Sequence, residues 1–158
     1  MTTCDVCNVE MQLVVEDEYH YAESGLPDIV VNNVRVSTCP VCQARVVGIP
    51  QVSRLHQTIA RALAKKRARL TGPEVRFMRK WLGMSGTDFA RAMGVTKETV
   101  SRWENNHESM GMTAELFLRH MVRRGKPRES YADEPLSFEP ARITVTLTDG
   151  RWRATRAN

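Results

Sequence analysis

Four cysteines carry the first chemical signal. Cys4-Asp-Val-Cys7 and Cys39-Pro-Val-Cys42 are two Cys-x-x-Cys pairs. Each pair can fold into a tight knuckle that aims two sulfurs at one point. Two knuckles together supply a tetrahedral four-thiolate site of the kind that holds structural zinc. Four thiolates close the coordination sphere and leave no position for a reactive water, so the expected zinc is structural rather than catalytic. The thirty-one residues between the pairs exceed the spacing of a simple zinc ribbon, so they must form structure of their own. Disulfides are the alternative for these cysteines; the missing basic and apolar leader argues against them. A redox Cys-x-x-Cys fits less well, because two pairs are present without a surrounding βαβ pattern. His20 could replace one cysteine, but four already suffice. His56, His107 and His120 are scattered and read as ordinary surface or core residues.

A second set of residues points to nucleic acid. Between Ser85 and Asn105 the chain reads as two short helices joined by a tight turn. Ala90 is small, where two helices must approach closely. Gly94 falls where the backbone turns and takes positive φ. Val100 lies in the second helix and points back at the first. Small, glycine and β-branched at these offsets is the packing requirement of a helix-turn-helix. Ser85 with Asp88 resembles a capping box, and Thr96 can cap the second helix. Thr96, Lys97, Glu98, Thr99, Ser101 and Arg102 then occupy its exposed faces, with Val100 and Trp103 inward. A recognition helix presents its N-terminal half to base edges in the major groove. Arg102 suits a bidentate contact to guanine. Thr99 and Ser101 can bond phosphate or base. Glu98 can accept from cytosine or simply serve as a favourable charge at a helix N-terminus.

Charge is distributed to match. Residues 1–50 hold two basic and seven acidic residues, a net of −5. Residues 51–128 hold seventeen and six, a net of +11, and residues 129–158 hold four and five, a net of −1. The positive charge sits with the helix-turn-helix, as a phosphate-binding footprint requires. A hydrophobic content of 42% is enough for a core. No run of eighteen apolar residues is present, so no membrane span is expected. A cytoplasmic protein is the expectation.

Other elements must position these residues. Gln-Leu-Val-Val-Glu after Met11 and the run from Ile29 to Thr38 are β-rich, separated by the turn signal Ser24-Gly-Leu-Pro27. Asn32-Asn33 marks a further turn or bulge. Arg45 to Pro50 reads as a last short strand. Ser53 to Ala68 reads as an amphipathic helix, with Leu55, Ile59, Ala62 and Leu63 apolar, standing partly outside the helical core. Pro73 suits a helix start. From Glu74 to Leu82, Val75, Met78 and Leu82 form one apolar stripe and Phe77 and Trp81 another. Thr113 is expected to cap a last helix through Arg124, with Leu116, Phe117, His120 and Met121 on its buried side. Gly125-Lys126-Pro127-Arg128 ends it. Ile143 to Leu147 alternates like a strand, Asp149-Gly150 suits a hairpin turn and Trp152 continues the second strand. A lone hairpin is marginal, so it docks on the body, pairs with another chain or stays loosely ordered. The expected fold is α+β. A β-rich four-cysteine zinc-binding domain (1–52) precedes a basic linker helix (53–72), an all-α helix-turn-helix domain of Cro/repressor-like type (73–125) and a tail with a β-hairpin (126–158).

The order of these parts resembles a known family. The two cysteine pairs around a β-rich insert, Ile49-Pro50, a basic helix and Leu70-Thr-Gly-Pro-Glu-Val-Arg-Phe-Met-Arg-Lys80 are similar to the MqsA-type antitoxins with a YgiT-type zinc finger. Ser101-Arg-Trp-Glu-Asn105 is similar to the end of their recognition helix and to Cro/repressor-like domains generally. The resemblance covers about residues 1–125. It implies a zinc-stabilised half that contacts a partner toxin. It also implies a helical half that dimerises, binds a palindrome and represses its own operon. By analogy the positions of Glu98 and Arg102 read bases. Two departures stand out. Gly86 replaces a glutamine that contacts DNA in many Cro-like domains, and Glu98 stands where the best-known of these antitoxins carry an amide.

The expected function is therefore a sequence-specific DNA-binding repressor and antitoxin of a type II toxin–antitoxin system. Its expected partners are an operator palindrome, a second copy of itself and a protein toxin. The alternative is a stand-alone regulator with the same two modules and no toxin. An enzyme is not expected: no open metal site, phosphate-cradling glycine loop or nucleophile–base pair is evident.

Overall fold

The computed structural model describes residues 2–125, 143–148 and 150–156. The expected helix stop at Lys126–Arg128 and Asp149 of the hairpin turn lie outside the described residues. The class is α+β: N-terminal strands with the four cysteines in the turns beside them, five helices including a helix-turn-helix, and C-terminal strands.

β1 (Gln12–Glu16), β4 (Val34–Thr38) and β5 (Arg45–Gly48) form an antiparallel sheet in the order β1-β4-β5. Val14, Val36 and Val47 lie opposite one another across it. β2 (Tyr19–His20) and β3 (Val30–Val31) make a second small ladder. Two turns join these pieces where the sequence signals them. Gly25 has φ of 73° and Asn33 of 57°, the left-handed region that glycine and asparagine tolerate best.

Helices α1 (Val52–Lys65), α2 (Gly72–Trp81), α3 (Gly86–Met93), α4 (Lys97–Glu104) and α5 (Met112–Arg124) follow. Glu74 accepts the Thr71 backbone N–H at 2.7 Å, and Pro73 sits in the first turn of α2. Ser85 accepts the N–H of Asp88 at 3.1 Å while Asp88 accepts the N–H of Ser85 at 3.2 Å, so the capping box forms with the shorter acid. Both apolar stripes of α2 are buried: Val75, Phe77, Met78, Trp81 and Leu82.

Four expectations change. Helix α1 is part of the core, not partly outside it: Ile59, Ala60, Leu63 and Ala64 are buried against α5 and α2, and Ala62 is exposed. It ends at Lys65, before the basic run is complete, because those residues have tertiary partners. Lys66 Nζ binds Glu74 at 2.9 Å, and Arg69 Nε binds Glu115 at 2.6 Å. Helix α5 begins at Met112 with Gly111 as its cap, so Thr113 is not the capping residue.

The buried face of α5 is also different. Glu115, Leu118, Arg119 and Val122 are buried, whereas Leu116 is 58% and Phe117 45% exposed, His120 is exposed and Met121 is half-buried. Arg119 accounts for the rotation. Its guanidinium donates to the carbonyls of Lys66 at 2.5 Å and Ala68 at 2.8 Å, and to Glu115 at 2.7 Å. It covers carbonyls left unpaired beyond the end of α1.

A hairpin of β6 (Ile143–Thr148) and β7 (Arg151–Arg156) closes the chain, with Gly150 at φ 70° in its turn. Among the described residues no helix is long and apolar enough to cross a membrane.

Candidate metal centre and nucleic-acid interface

The two cysteine pairs adopt the same local conformation. In the first, Cys4 N–H donates to Val9 O at 2.9 Å and Asn8 N–H to Cys4 O at 2.9 Å. In the second, Cys39 N–H donates to Ala44 O at 2.9 Å and Gln43 N–H to Cys39 O at 3.0 Å. The residue after each second cysteine is left-handed, Asn8 at φ 52° and Gln43 at φ 59°. That reversal turns the chain back and leaves both sulfurs of the pair on one side. Antiparallel pairing of β1 with β4 then brings the two knuckles together, because β1 follows the first and β4 leads into the second.

All four sulfurs lie within 4.8 Å of one another. Cys4 Sγ and Cys42 Sγ are 3.6 Å apart, so these are thiols and not a disulfide. A tetrahedral zinc with Zn–S bonds of about 2.3 Å has S···S edges of about 3.8 Å. The donor set and its spacing fit such an ion, and no other ligand is needed. Backbone N–H groups of Cys42 and Val41 point at the Cys39 sulfur and pull its thiol down to about 7, against the opposing effect of burial. The sulfur of Cys7 shares a hydrogen bond with Cys42, and with burial this pushes it up to about 12. Four sulfurs this close cannot all ionise without a cation. A divalent ion would replace their protons. Cys4 and Cys39 are buried with Met11 in a small core of their own, and Cys42 is exposed. His20 is exposed and outside the cluster.

The helix-turn-helix is built as its residue types require. Ala90 (4% exposed) and Val100 (2%) are buried between α3 and α4. Gly94 at φ 65° ends α3, its N–H donating to Arg91 O at 3.1 Å. Thr96 caps α4 by accepting the N–H of Thr99 at 3.3 Å. Thr96, Lys97, Glu98, Ser101 and Arg102 are exposed and Thr99 is half-buried; Trp103 is buried beneath them. The Thr96 and Thr99 hydroxyls are 3.2 Å apart, and Ser101 Oγ receives Asn105 Nδ2 at 3.3 Å. The Glu98 carboxyl is held below its usual range, first by its own backbone N–H and then by the Thr96 hydroxyl. Its charge therefore favours the start of α4.

Residues outside the predicted set orient α4. Glu104, only 7% exposed, accepts Arg79 Nε at 2.5 Å and Arg76 Nε at 3.0 Å. Arg76 also donates to Asn105 Oδ1 at 3.0 Å. Asn106 Oδ1 accepts the Gly72 N–H at 2.6 Å. The last turn of α4 and the residues after it are thus anchored to α2. Arginines three apart on α2 and an acid at the end of α4 were visible in the chain, but nothing local pairs them.

Residues 75–110, from α2 to the segment after α4, match the model of a helix-turn-helix family. No curated protein matches the chain. No solved structure matches it either. The matched stretch suggests a DNA-binding transcriptional regulator, and the four-cysteine cluster is compatible with a zinc site in the same chain.

Proposed function

We propose that this chain is a sequence-specific DNA-binding repressor and the antitoxin of a type II toxin–antitoxin pair. It acts in the cytoplasm, binds its operator as a homodimer and neutralises a toxin through its zinc-holding half. The observation that carries the DNA-binding part is the exposed surface of α4, where Lys97 and Arg102 stand beside three hydroxyl side chains on a helix fixed by the Glu104 anchor. In this reading Arg102 and Glu98 read base edges, and Thr96, Lys97, Thr99 and Ser101 contact backbone or base. Two copies place their α4 helices roughly 34 Å apart in successive major grooves. Cys4, Cys7, Cys39 and Cys42 hold zinc within residues 1–52. Residues 53–72 connect it to the DNA-binding part, 73–125, and residues 126–158 form the tail. The toxin partner rests on the resemblance to MqsA-type antitoxins and on the acidic balance of residues 1–50.

One observation favours a second reading, a stand-alone regulator. Tyr21 and Leu26 belong to the same buried cluster as the helices, and Tyr21 Oη is 2.8 Å from His56 Nε2 on α1. The zinc-holding half therefore has a structural use without a toxin, as a support for the helical half.

Growth separates the two readings. The small reading frame adjacent to this gene is expressed in a host cell with and without the full chain. Arrest relieved by co-expression is the expected result. A harmless neighbour would remove the antitoxin part and leave the regulator.

A further inference from the structure

The C-terminal hairpin plays no part in the reading above. Its register sets Thr146 opposite Arg153 and Thr148 opposite Arg151, with Val145 opposite Ala154 and Leu147 opposite Trp152. Side chains alternate across a strand. Thr146, Thr148, Arg151 and Arg153 therefore share one face, and Val145 and Leu147 lie on the other. All six are exposed. Among the described side chains this face offers two hydroxyls and two guanidiniums and no carboxylate. Among the described residues no ion pair engages Arg151 or Arg153.

We propose that this Thr/Arg face is a second DNA-contacting surface, lying on the phosphate backbone of the duplex that α4 holds. The proposal rests on the DNA-binding reading. Charge complementarity is its first support. Arginine and threonine are phosphate donors, and a ribbon face with cations and hydroxyls alone suits a polyanion. A solvated strand face would be free to carry both signs.

Reach is the second support. Residues 126–142 are seventeen residues long, which span at most about 60 Å when extended. One helical repeat of duplex DNA is about 34 Å. A ribbon tethered to a DNA-bound helical domain can thus meet phosphates beyond the footprint of α4. Tethering also raises the local concentration, so two modest contacts suffice. The apolar side completes the geometry: burying Val145 and Leu147 on any protein surface turns the Thr/Arg row outward.

The test uses the full chain and its R151Q/R153Q variant. Binding is measured by fluorescence anisotropy over a salt series. The probes are a duplex from upstream of the chain's own reading frame and a scrambled duplex of equal length. Each phosphate contact contributes roughly 0.9 to the slope of log affinity against log salt, so the variant's slope should be shallower by about 1.8 on both duplexes. The ratio of specific to scrambled affinity should not change, and R151K/R153K should restore the slope. An unchanged slope in R151Q/R153Q overturns the proposal. So does an equal loss in R151K/R153K, which would assign the effect to packing of the hairpin. If the unmodified chain binds neither duplex, the DNA-binding reading itself fails.

Discussion

Arg79 Nε stands 2.5 Å from Oε1 of Glu104, and this contact joins α2 to the last turn of α4. Both side chains are largely buried, at 12% and 7% exposure. Arg76 closes on the other carboxylate oxygen at 3.0 Å. The helix proposed to read DNA is therefore held by charge at its far end, while Lys97 and Glu98 at its start stay exposed.

Glu104→Gln should test that anchor. It leaves the buried Arg79 without its counter-charge, and breaking one side of such a pair costs about 3 kcal/mol. Urea unfolding checks this. A loss below about 1 kcal/mol would place the contact among ordinary surface pairs.

Acid should weaken the fold through the same group and through Glu115. Burial pushes both carboxyls up, but Arg79 and Arg76 for Glu104, and Arg69 and Arg119 for Glu115, outweigh it and leave both below the usual glutamate range. A lowered carboxyl contributes stability that is complete above its unfolded value, about 4.3, and is lost as pH falls through that range toward the folded value. Urea midpoints should hold at neutral pH and drop below about pH 4, with a smaller drop in Glu104→Gln.

Gly72→Ala should destabilise the chain although it improves helix propensity. A Cβ at Gly72 would lie 2.5 Å from Glu104 O and 2.7 Å from Trp103 O, and backbone cannot give way as a side chain can. Overpacking of this kind costs about 1–3 kcal/mol. Gly86→Ala is the control: a Cβ there meets nothing within 4 Å. Thermal unfolding should separate the two, and equal melting points would contradict the contact.

Arg102→Ala should weaken binding to the upstream duplex more than to a scrambled one, by about 1–3 kcal/mol in the difference. Anisotropy titrations on both duplexes read it. Equal losses would make Arg102 a phosphate contact only.

Cys39→Ser should abolish stoichiometric zinc and loosen residues 1–52, because a four-ligand site loses its closed shell. Metal analysis of the purified chain, with circular dichroism before and after chelation, checks it. A full zinc equivalent in the variant would remove Cys39 from the ligand set.

The readable features are local ones. Ser85 with Asp88, Thr96, Gly94, Ala90 and Val100 all act within the one stretch of two consecutive helices and their turn, so their spacing alone specifies what they do. The two cysteine knuckles are local in the same sense. Each is a six-residue hairpin stated by Cys-x-x-Cys, and their meeting needs only that β1 pair with β4. Phosphate-binding charge was less readable. Seventeen basic residues lie between 51 and 128, yet Lys66, Arg69, Arg76, Arg79 and Arg119 are paired with acids of the same half. The salt dependence of DNA binding should therefore be less steep than the net charge suggests.

Helix α5 shows where a sequence stops being enough. Periodicity favours burying Leu116, Phe117 and Met121, since they are apolar at helical spacing. The tertiary structure buries Glu115 and Arg119 instead and leaves Leu116 and Phe117 exposed. A buried charge is tolerated only when partners offset its lost hydration. Here those partners are Arg69, the backbone N–H of Leu70 and carbonyls near the end of α1, 45 to 53 residues away. From the sequence alone come the α+β order of elements, the four-cysteine signature and the helix-turn-helix, because each is fixed by neighbours along the chain. The tertiary structure alone decides which face of α5 is inside and which cations remain for DNA, because both depend mostly on charged side chains meeting between separate elements of the fold.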